Sequence, residues 1–196
     1  NQKIHAYEIF YRSGFLNHYT GTDDDEATSK VIIEAFNNLG LDAVTAGKPA
    51  FINFSTGLLE QQVATLFPHE QLVVEVLESV RSSEEVLERC RELKTAGYTI
   101  ALDDFVYNED SEPFLELADI VKIDLLGSSP EEIARVLPVL KDRKVTLLAE
   151  KVETYEAFKF ATELGFKLFQ GYFFSKPEMV VAKALAPLHV VCFELI

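Results

Sequence analysis

Cysteine and histidine are scarce in this 196-residue chain, and neither occurs at a metal-binding spacing. Cys90 and Cys192 are the only cysteines and lie far apart. That excludes a paired-cysteine zinc site and a disulfide framework. The expectation is reduced, partly buried thiols of a cytoplasmic protein. His5, His18, His69 and His189 show no ligand spacing. No apolar run approaches the ~20 residues of a membrane span, and no signal-peptide pattern opens the sequence. Basic residues are few, with 18 Lys and Arg against 32 Asp and Glu, a formal net charge of −14. Such a surface repels polyanions, so neither a nucleic-acid polymer nor a membrane is expected as a partner. A small phosphate ligand stays open, because a bound divalent metal reverses the local sign.

What is present is an apolar content of 48%, enough for one ordinary globular core. Strand-like runs fall at Ile4–Tyr11, Ala50–Phe54, Leu72–Val76, Thr99–Asp103, Ile120–Ile123, Thr146–Ala149 and Lys167–Phe169. Helical patterns lie near Ala27–Leu39, Gly57–Leu66, Ser83–Ala96, Glu112–Leu117, Pro130–Leu140, Tyr155–Leu164 and Pro177–Leu185. Ser129 before Pro130-Glu131-Glu132 is a helix start, and Thr154 precedes another. Gly40, Gly97 and Gly165 follow helices, where a left-handed cap is expected. After the first unit the strands recur roughly every 20 to 25 residues, the rhythm of βα repeats. The runs are continuous rather than alternating, as in a sheet covered on both faces. Seven units fall short of the eight in a (β/α)₈ barrel, which typically takes ~250 residues. A doubly wound open sheet is the rival, but no glycine-rich phosphate loop follows the first strand.

Asn53, Glu75, Asp103 with Asp104, Asp124, Glu150 and Gln170 each sit at or just beyond the C-terminal end of a strand. In a closed parallel barrel those ends meet at one mouth. The reading is therefore α/β, a TIM-like barrel with its first strand missing or trimmed. Carboxylates crowded around one cavity stay ionised only beside cations. Hard oxygen donors suit Mg²⁺ or Mn²⁺, and the adjacent Asp103 and Asp104 suit a two-metal site. Lys122 would place an ammonium near a water or phosphate, and Arg12, four residues beyond Glu8, could reach a phosphate oxygen. Taken singly, these residues are less telling. An Asp-Asp pair often only ends a strand. Lys122 fits a solvated strand face, Glu8 an edge-strand charge, and Glu153 the capping of the next helix. Their joint placement carries the reading. It also predicts that Glu75→Gln or Asp103→Asn leaves the metal-free fold at least as stable, since removing one acid relieves repulsion.

The residues resemble the EAL domain family, which hydrolyses cyclic di-GMP. Tyr7-Glu8-Ile9-Phe10-Tyr11-Arg12 is similar to the signature Glu-Ala-Leu-Leu-Arg segment. Phe51-Ile52-Asn53-Phe54-Ser55, Val74-Glu75-Val76-Leu77-Glu78-Ser79, Ala101-Leu102-Asp103-Asp104-Phe105, Val121-Lys122-Ile123-Asp124, Ala149-Glu150-Lys151-Val152-Glu153-Thr154 and Gln170-Gly171-Tyr172 follow in the family's order. The resemblance implies a modified (β/α)₈ barrel with one strand reversed. It implies one metal on Glu8, Asn53, Glu75 and Asp103, and a second on Asp103 and Asp104. Lys122 and Glu150 would orient and deprotonate the water, and Arg12 would meet the ligand phosphate. Glu78, Asp124, Glu153 and Gln170 would support the site. The product would be linear pGpG.

Departures from the family pattern leave a second reading. The family's first strand would precede Asn1. The signature Ala-Leu is Ile9-Phe10. The usual Phe-Gly-Thr-Gly-Tyr-Ser-Ser loop reads Phe105-Val106-Tyr107-Asn108-Glu109-Asp110-Ser111, so Val106 and Asn108 replace both flexible glycines. This resembles the subgroup in which an EAL domain precedes an HDOD domain. The whole of 1–196 is then expected to be a single EAL domain cut from a longer chain, with a homodimer implied. Its alternative role is a non-catalytic cyclic di-GMP receptor or a protein-interaction module.

Overall fold

The structure, a computed structural model, describes residues 3–12, 45–176, 178–182 and 188–195. Seven strands run parallel and lie side by side in chain order. They are β1 (Ala6–Arg12), β2 (Ala50–Phe54), β3 (Leu72–Val76), β4 (Thr99–Leu102), β5 (Ile120–Asp124), β6 (Thr146–Glu150) and β7 (Leu168–Phe169). The sheet curls into a half-barrel with alternating helices. On the far side of β1 lies β9 (Leu188–Leu195), antiparallel to it, and beyond that β8 (Glu178–Ala182), antiparallel to β9. Among the described residues no pairing joins β7 to β8.

The helices form where local chemistry favours them. Ser55 opens α1 (Thr56–Glu60) and Ser83 opens α2 (Glu84–Thr95), each hydroxyl accepting from a backbone N–H three residues on. The short α3 spans Glu112–Leu115. A reciprocal capping box of Ser129 and Glu132, with Pro130 in the first turn, opens α4 (Pro130–Lys141). Thr154 caps α5 (Tyr155–Glu163). Gly97 and Gly165 take positive φ just after α2 and α5, as predicted. No helix among the described residues is long and apolar enough to cross a membrane.

Side chains two apart on a strand share a face, and this periodicity organises the molecule. One face carries Ile52, Phe54, Val74, Ile100 and Val121, packed against helix residues such as Leu59, Val86 and Cys90. Burying each large apolar side chain contributes about 1.5–3 kcal/mol. The other face carries a second, smaller layer of Ala6, Phe51, Val73, Ala101, Ile120, Leu148 and Leu195, with Leu168 against it. This layer is the floor of the barrel mouth.

Two expected elements differ. The pattern near Pro177–Leu185 predicts a helix, but Glu178–Ala182 is strand β8. Its Met179-Val180-Val181 run favours extended backbone, and β9 supplies the ladder partners. The helix predicted near Gly57–Leu66 is split into α1 and a 3₁₀ turn (Val63–Leu66), because Gln62 turns left-handed at φ 55°. The helix expected near 27–39 lies outside the described residues.

Candidate metal centre at the barrel mouth

Two residues beyond each floor residue of β1 to β7, on the same face, stands a polar one. Ala6 leads to Glu8, Phe51 to Asn53, Val73 to Glu75, and Ala101 to Asp103. Ile120 leads to Lys122, Leu148 to Glu150, and Leu168 to Gln170. Strand register sets Asn53 opposite Glu75, while Glu8 lies opposite Phe51, Glu75 opposite Ala101 and Lys122 opposite Leu148, so the polar residues are staggered from strand to strand. The strands thus lift a ring of polar groups above an apolar floor.

Lys122 occupies the centre, fully buried. Its ammonium donates to Glu8 Oε1 at 3.0 Å, to Asp103 Oδ1 at 2.9 Å, and to Glu75 at close range. An ammonium has three hydrogens, so Glu150 Oε1 at 2.9 Å completes the cage as an ion pair. Gln170 Nε2 donates to the other oxygen of Glu8 at 2.6 Å. Glu8 and Lys122 are 2% and 0% exposed, far from the edge-strand and solvated positions that each residue alone would suggest.

The electrostatics follow from that crowding. Burial, then the neighbouring Glu8, hold the Glu75 carboxyl well above its usual range despite Lys122. Burial would raise Asp103 too, but Lys122 and a hydrogen bond with Glu75 bring it below its usual value. Charge is thus disfavoured on Glu75 and favoured on Asp103. Burial lifts Glu150 to about 7. Burial opposes the charge on Lys122, yet Glu75, Glu8, Glu150 and Asp103 together hold its ammonium pKa well above normal. Asp104 is raised by burial and by Asp103.

Asp104 turns left-handed at φ 38° where the chain leaves β4. Asp103 stays in the cage and Asp104 lies exposed at the rim. Ligand oxygens of Asp103, Asp104 and Glu150 lie within 4.8 Å of one another. Oxygens of Asn53, Glu75, Glu150 and Gln170 are buried without a hydrogen-bond partner. Unpaired buried oxygens are costly, and hard oxygen donors suit a hard divalent cation. The donor set therefore fits such an ion.

Other predicted residues fall around this cage. Asp124 ends β5, where its Oδ1 accepts from the backbone N–H of Leu126 at 2.7 Å and Gly127 at 2.9 Å, and its Oδ2 accepts from Lys151. Glu78 lines a cavity of about 340 Å³ beside Asp103 and Asp104. Glu153 is exposed on the loop after β6, outside the cage. Arg12 ends β1, and its side chain lies outside the described residues. Sequence reasoning overlooked two contributors. One is the apolar floor, signalled by the residue two before each polar one. The other is Lys151, which lies within the Ala149–Thr154 segment but to which the sequence assigns no role. Its backbone is left-handed at φ 53°.

The loop after Asp104 is closed on itself. Asn108 Oδ1 accepts from the backbone N–H of Asp110 and Ser111, both at 2.9 Å, and Ser111 Oγ accepts from that of Asn108 at 2.9 Å. On the opposite rim, Gly171 packs so tightly that an added Cβ would lie 2.2 Å from Val152 O. The N–H of Val152 donates to Gln170 O at 2.9 Å, so the Gln170 and Glu150 loops are joined.

A family model described as "EAL domain" matches residues 38–177. The chain is 39% identical over its whole length to the uncharacterized protein YuxH of Bacillus subtilis, covering 49% of it. It is 38% identical over its whole length to the cyclic di-GMP phosphodiesterase CdgJ of Vibrio cholerae, covering 46%. It thus spans about half the length of these curated relatives. Among solved structures it is similar to the Bacillus subtilis YkuI protein, with an EAL domain, in complex with cyclic di-GMP and calcium. That match has a TM-score of 0.62 at 20% identity, over 89% of this chain and 47% of that one. A complex of the PaMucR phosphodiesterase with cyclic di-GMP matches with a TM-score of 0.61 at 24% identity, over 78% of this chain and 76% of that one.

Proposed function

We propose that this chain, which belongs to the EAL domain family, hydrolyses cyclic di-GMP to linear pGpG in a metal-dependent reaction. The observation that carries this reading is the convergence of Glu8, Glu75, Asp103 and Glu150 around Lys122, with Asn53 and Gln170 on the same face. Glu8, Asn53, Glu75 and Asp103 would hold one Mg²⁺ or Mn²⁺, and Asp103 with Asp104 a second. Bound there, the ions supply positive charge to the phosphodiester and make water more acidic.

The chain's own groups do the rest. Glu150, with a pKa of about 7, suits a general base near neutral pH. It takes a proton from water as the water oxygen attacks phosphorus. One bridging P–O bond opens, and the freed ribose oxygen takes up a proton. Lys122 offsets the cage charge and aligns Glu150. Gln170 fixes Glu8 by its hydrogen bond. Arg12 would contact a phosphate oxygen. Incubating the full-length protein with cyclic di-GMP and Mn²⁺ should yield pGpG, with none in EDTA. No turnover while Mn²⁺ is demonstrably bound would reject the reading.

The self-closed loop from Asn108 to Ser111 favours a second reading, a receptor that binds cyclic di-GMP without cutting it. Calorimetry separates the two, since a receptor gives a binding isotherm and no product. Absence of binding by the full-length protein points instead to a protein-interaction module. The reading also carries a cytoplasmic location, a homodimer and a C-terminal HDOD domain in the longer protein as proposals.

A further inference from the structure

Lys151 follows Glu150 directly and holds a left-handed backbone, φ 53°, that glycine adopts freely and a residue with Cβ resists. Its neighbours fix that conformation. Val152 is bound to Gln170 O, Phe173 N–H donates to Val152 O at 3.1 Å, and Gly171 abuts the Val152 backbone. Strained backbone kept at a site is a reason to look for a role. From this turn the ammonium reaches Asp124 Oδ2, while Asp124 Oδ1 is taken by two backbone N–H groups. Both oxygens of Asp124 are therefore engaged. The same ammonium also interacts electrostatically with Asp104 and Glu150. Those two residues, with Asp103, form the three-carboxylate group at the rim.

We infer that Lys151 is a built-in cation at the second metal position, compensating charge at the Asp104 and Glu150 rim so that the domain binds one divalent ion well and a second one weakly. This rests on the metal-dependent reading above. A divalent ion entering between Asp103, Asp104 and Glu150 meets the ammonium's repulsion, and Asp124 is withdrawn from it. Lys122 plays the corresponding part deeper in the cage, but there it touches Glu8, Glu75, Asp103 and Glu150, and its removal destabilises the fold. Lys151 is about half exposed, with its side chain 52% accessible. It can therefore be replaced without opening the core.

The test is calorimetric titration of the full-length protein with Mn²⁺ alone, comparing wild type with Lys151→Met and Lys151→Gly. Lys151→Met removes the charge and keeps the strain, whereas Lys151→Gly removes both. Circular dichroism checks that each variant is folded. The expected result is one strong site in wild type and a second site tightened about tenfold or more in both variants. Unchanged second-site affinity in both variants overturns the inference. Tightening in Lys151→Gly alone also overturns it, because the cause is then backbone relief and not charge. If no variant and not the wild type binds Mn²⁺, the metal-dependent reading fails instead, which separates the two failures.

Discussion

Replacing Lys122 by methionine keeps an unbranched apolar stem and deletes the cage's central charge. Four carboxylates then face one another without the ammonium that contacts all of them. With every acid ionised, the wild-type cage carries four negative charges against one positive, a net of −3. Burial first, and then the neighbouring acids, already raise Glu75 and Glu150. Removing one partner of a buried ion pair typically costs about 3–5 kcal/mol. That is a large share of the ~5–15 kcal/mol that holds a domain together. At about 2–4 °C per kcal/mol for a chain of this size, melting should fall by roughly 6–20 °C. The assay is thermal unfolding followed by circular dichroism in EDTA at pH 8 and at pH 5. At pH 5 Glu150, whose pKa is about 7, carries a proton and the loss should shrink. Mn²⁺ at pH 8 should restore much of it, since a divalent ion can replace the missing charge. A Lys122→Met protein that melts with wild type at pH 8 in EDTA refutes the reasoning.

The two acid-to-amide changes should behave differently from each other. Glu75→Gln should leave metal-free stability within about 1 kcal/mol, because burial and Glu8 already disfavour the charge that the amide removes, and the amide can still donate to Asp103. Asp103→Asn should cost about 1.5–3 kcal/mol, the range for a hydrogen bond to a charged group. That difference should be present above the ordinary aspartate value of 3.8 and vanish as pH falls through the lower folded value. Equal melting of the two variants at pH 7 would contradict this assignment. In EDTA, wild-type stability should fall as pH rises from about 4.5 to above 7, since folded Glu150 holds a proton over that window and unfolded Glu150 does not. Glu150 alone contributes about 3 kcal/mol to that fall, at about 1.4 kcal/mol per pH unit, and urea titrations at several pH values measure it. Mn²⁺ affinity should rise through the same window, because the proton must leave. Gly171→Ala should destabilise by about 1–3 kcal/mol, as an overpacked contact against the Val152 backbone does, and differential scanning calorimetry reads it.

The contrast between the two amide variants also shows where sequence reasoning stops. A count of acids predicts that losing either one relieves repulsion. It does not reveal on which acid charge is disfavoured, because that depends on burial and on the Lys122 contacts. The strands and the polar residues at their ends are legible because strand ends recur at βα spacing and because Asn53, Glu75, Asp103, Lys122 and Glu150 interrupt apolar runs. That Lys122 is a buried centre and not a solvated strand residue is not legible, since a lysine among apolar neighbours fits both. The floor beneath the cage could have been found from the two-residue period, from Phe51 to Asn53 or from Leu148 to Glu150. The β8 strand was hidden by its length and by its partner β9, which lies several residues further along. Lys151 needs its backbone angle to be noticed at all.

Oxygens from separate strands are expected to gather around divalent cations above the Phe51 and Leu148 floor. Anomalous diffraction from Mn²⁺-soaked crystals tests this most directly. A strong anomalous peak ligated by Glu8, Asn53, Glu75 or Asp103 is expected. Mn²⁺ found only on the outer surface, with the barrel mouth empty at saturating metal, would contradict it.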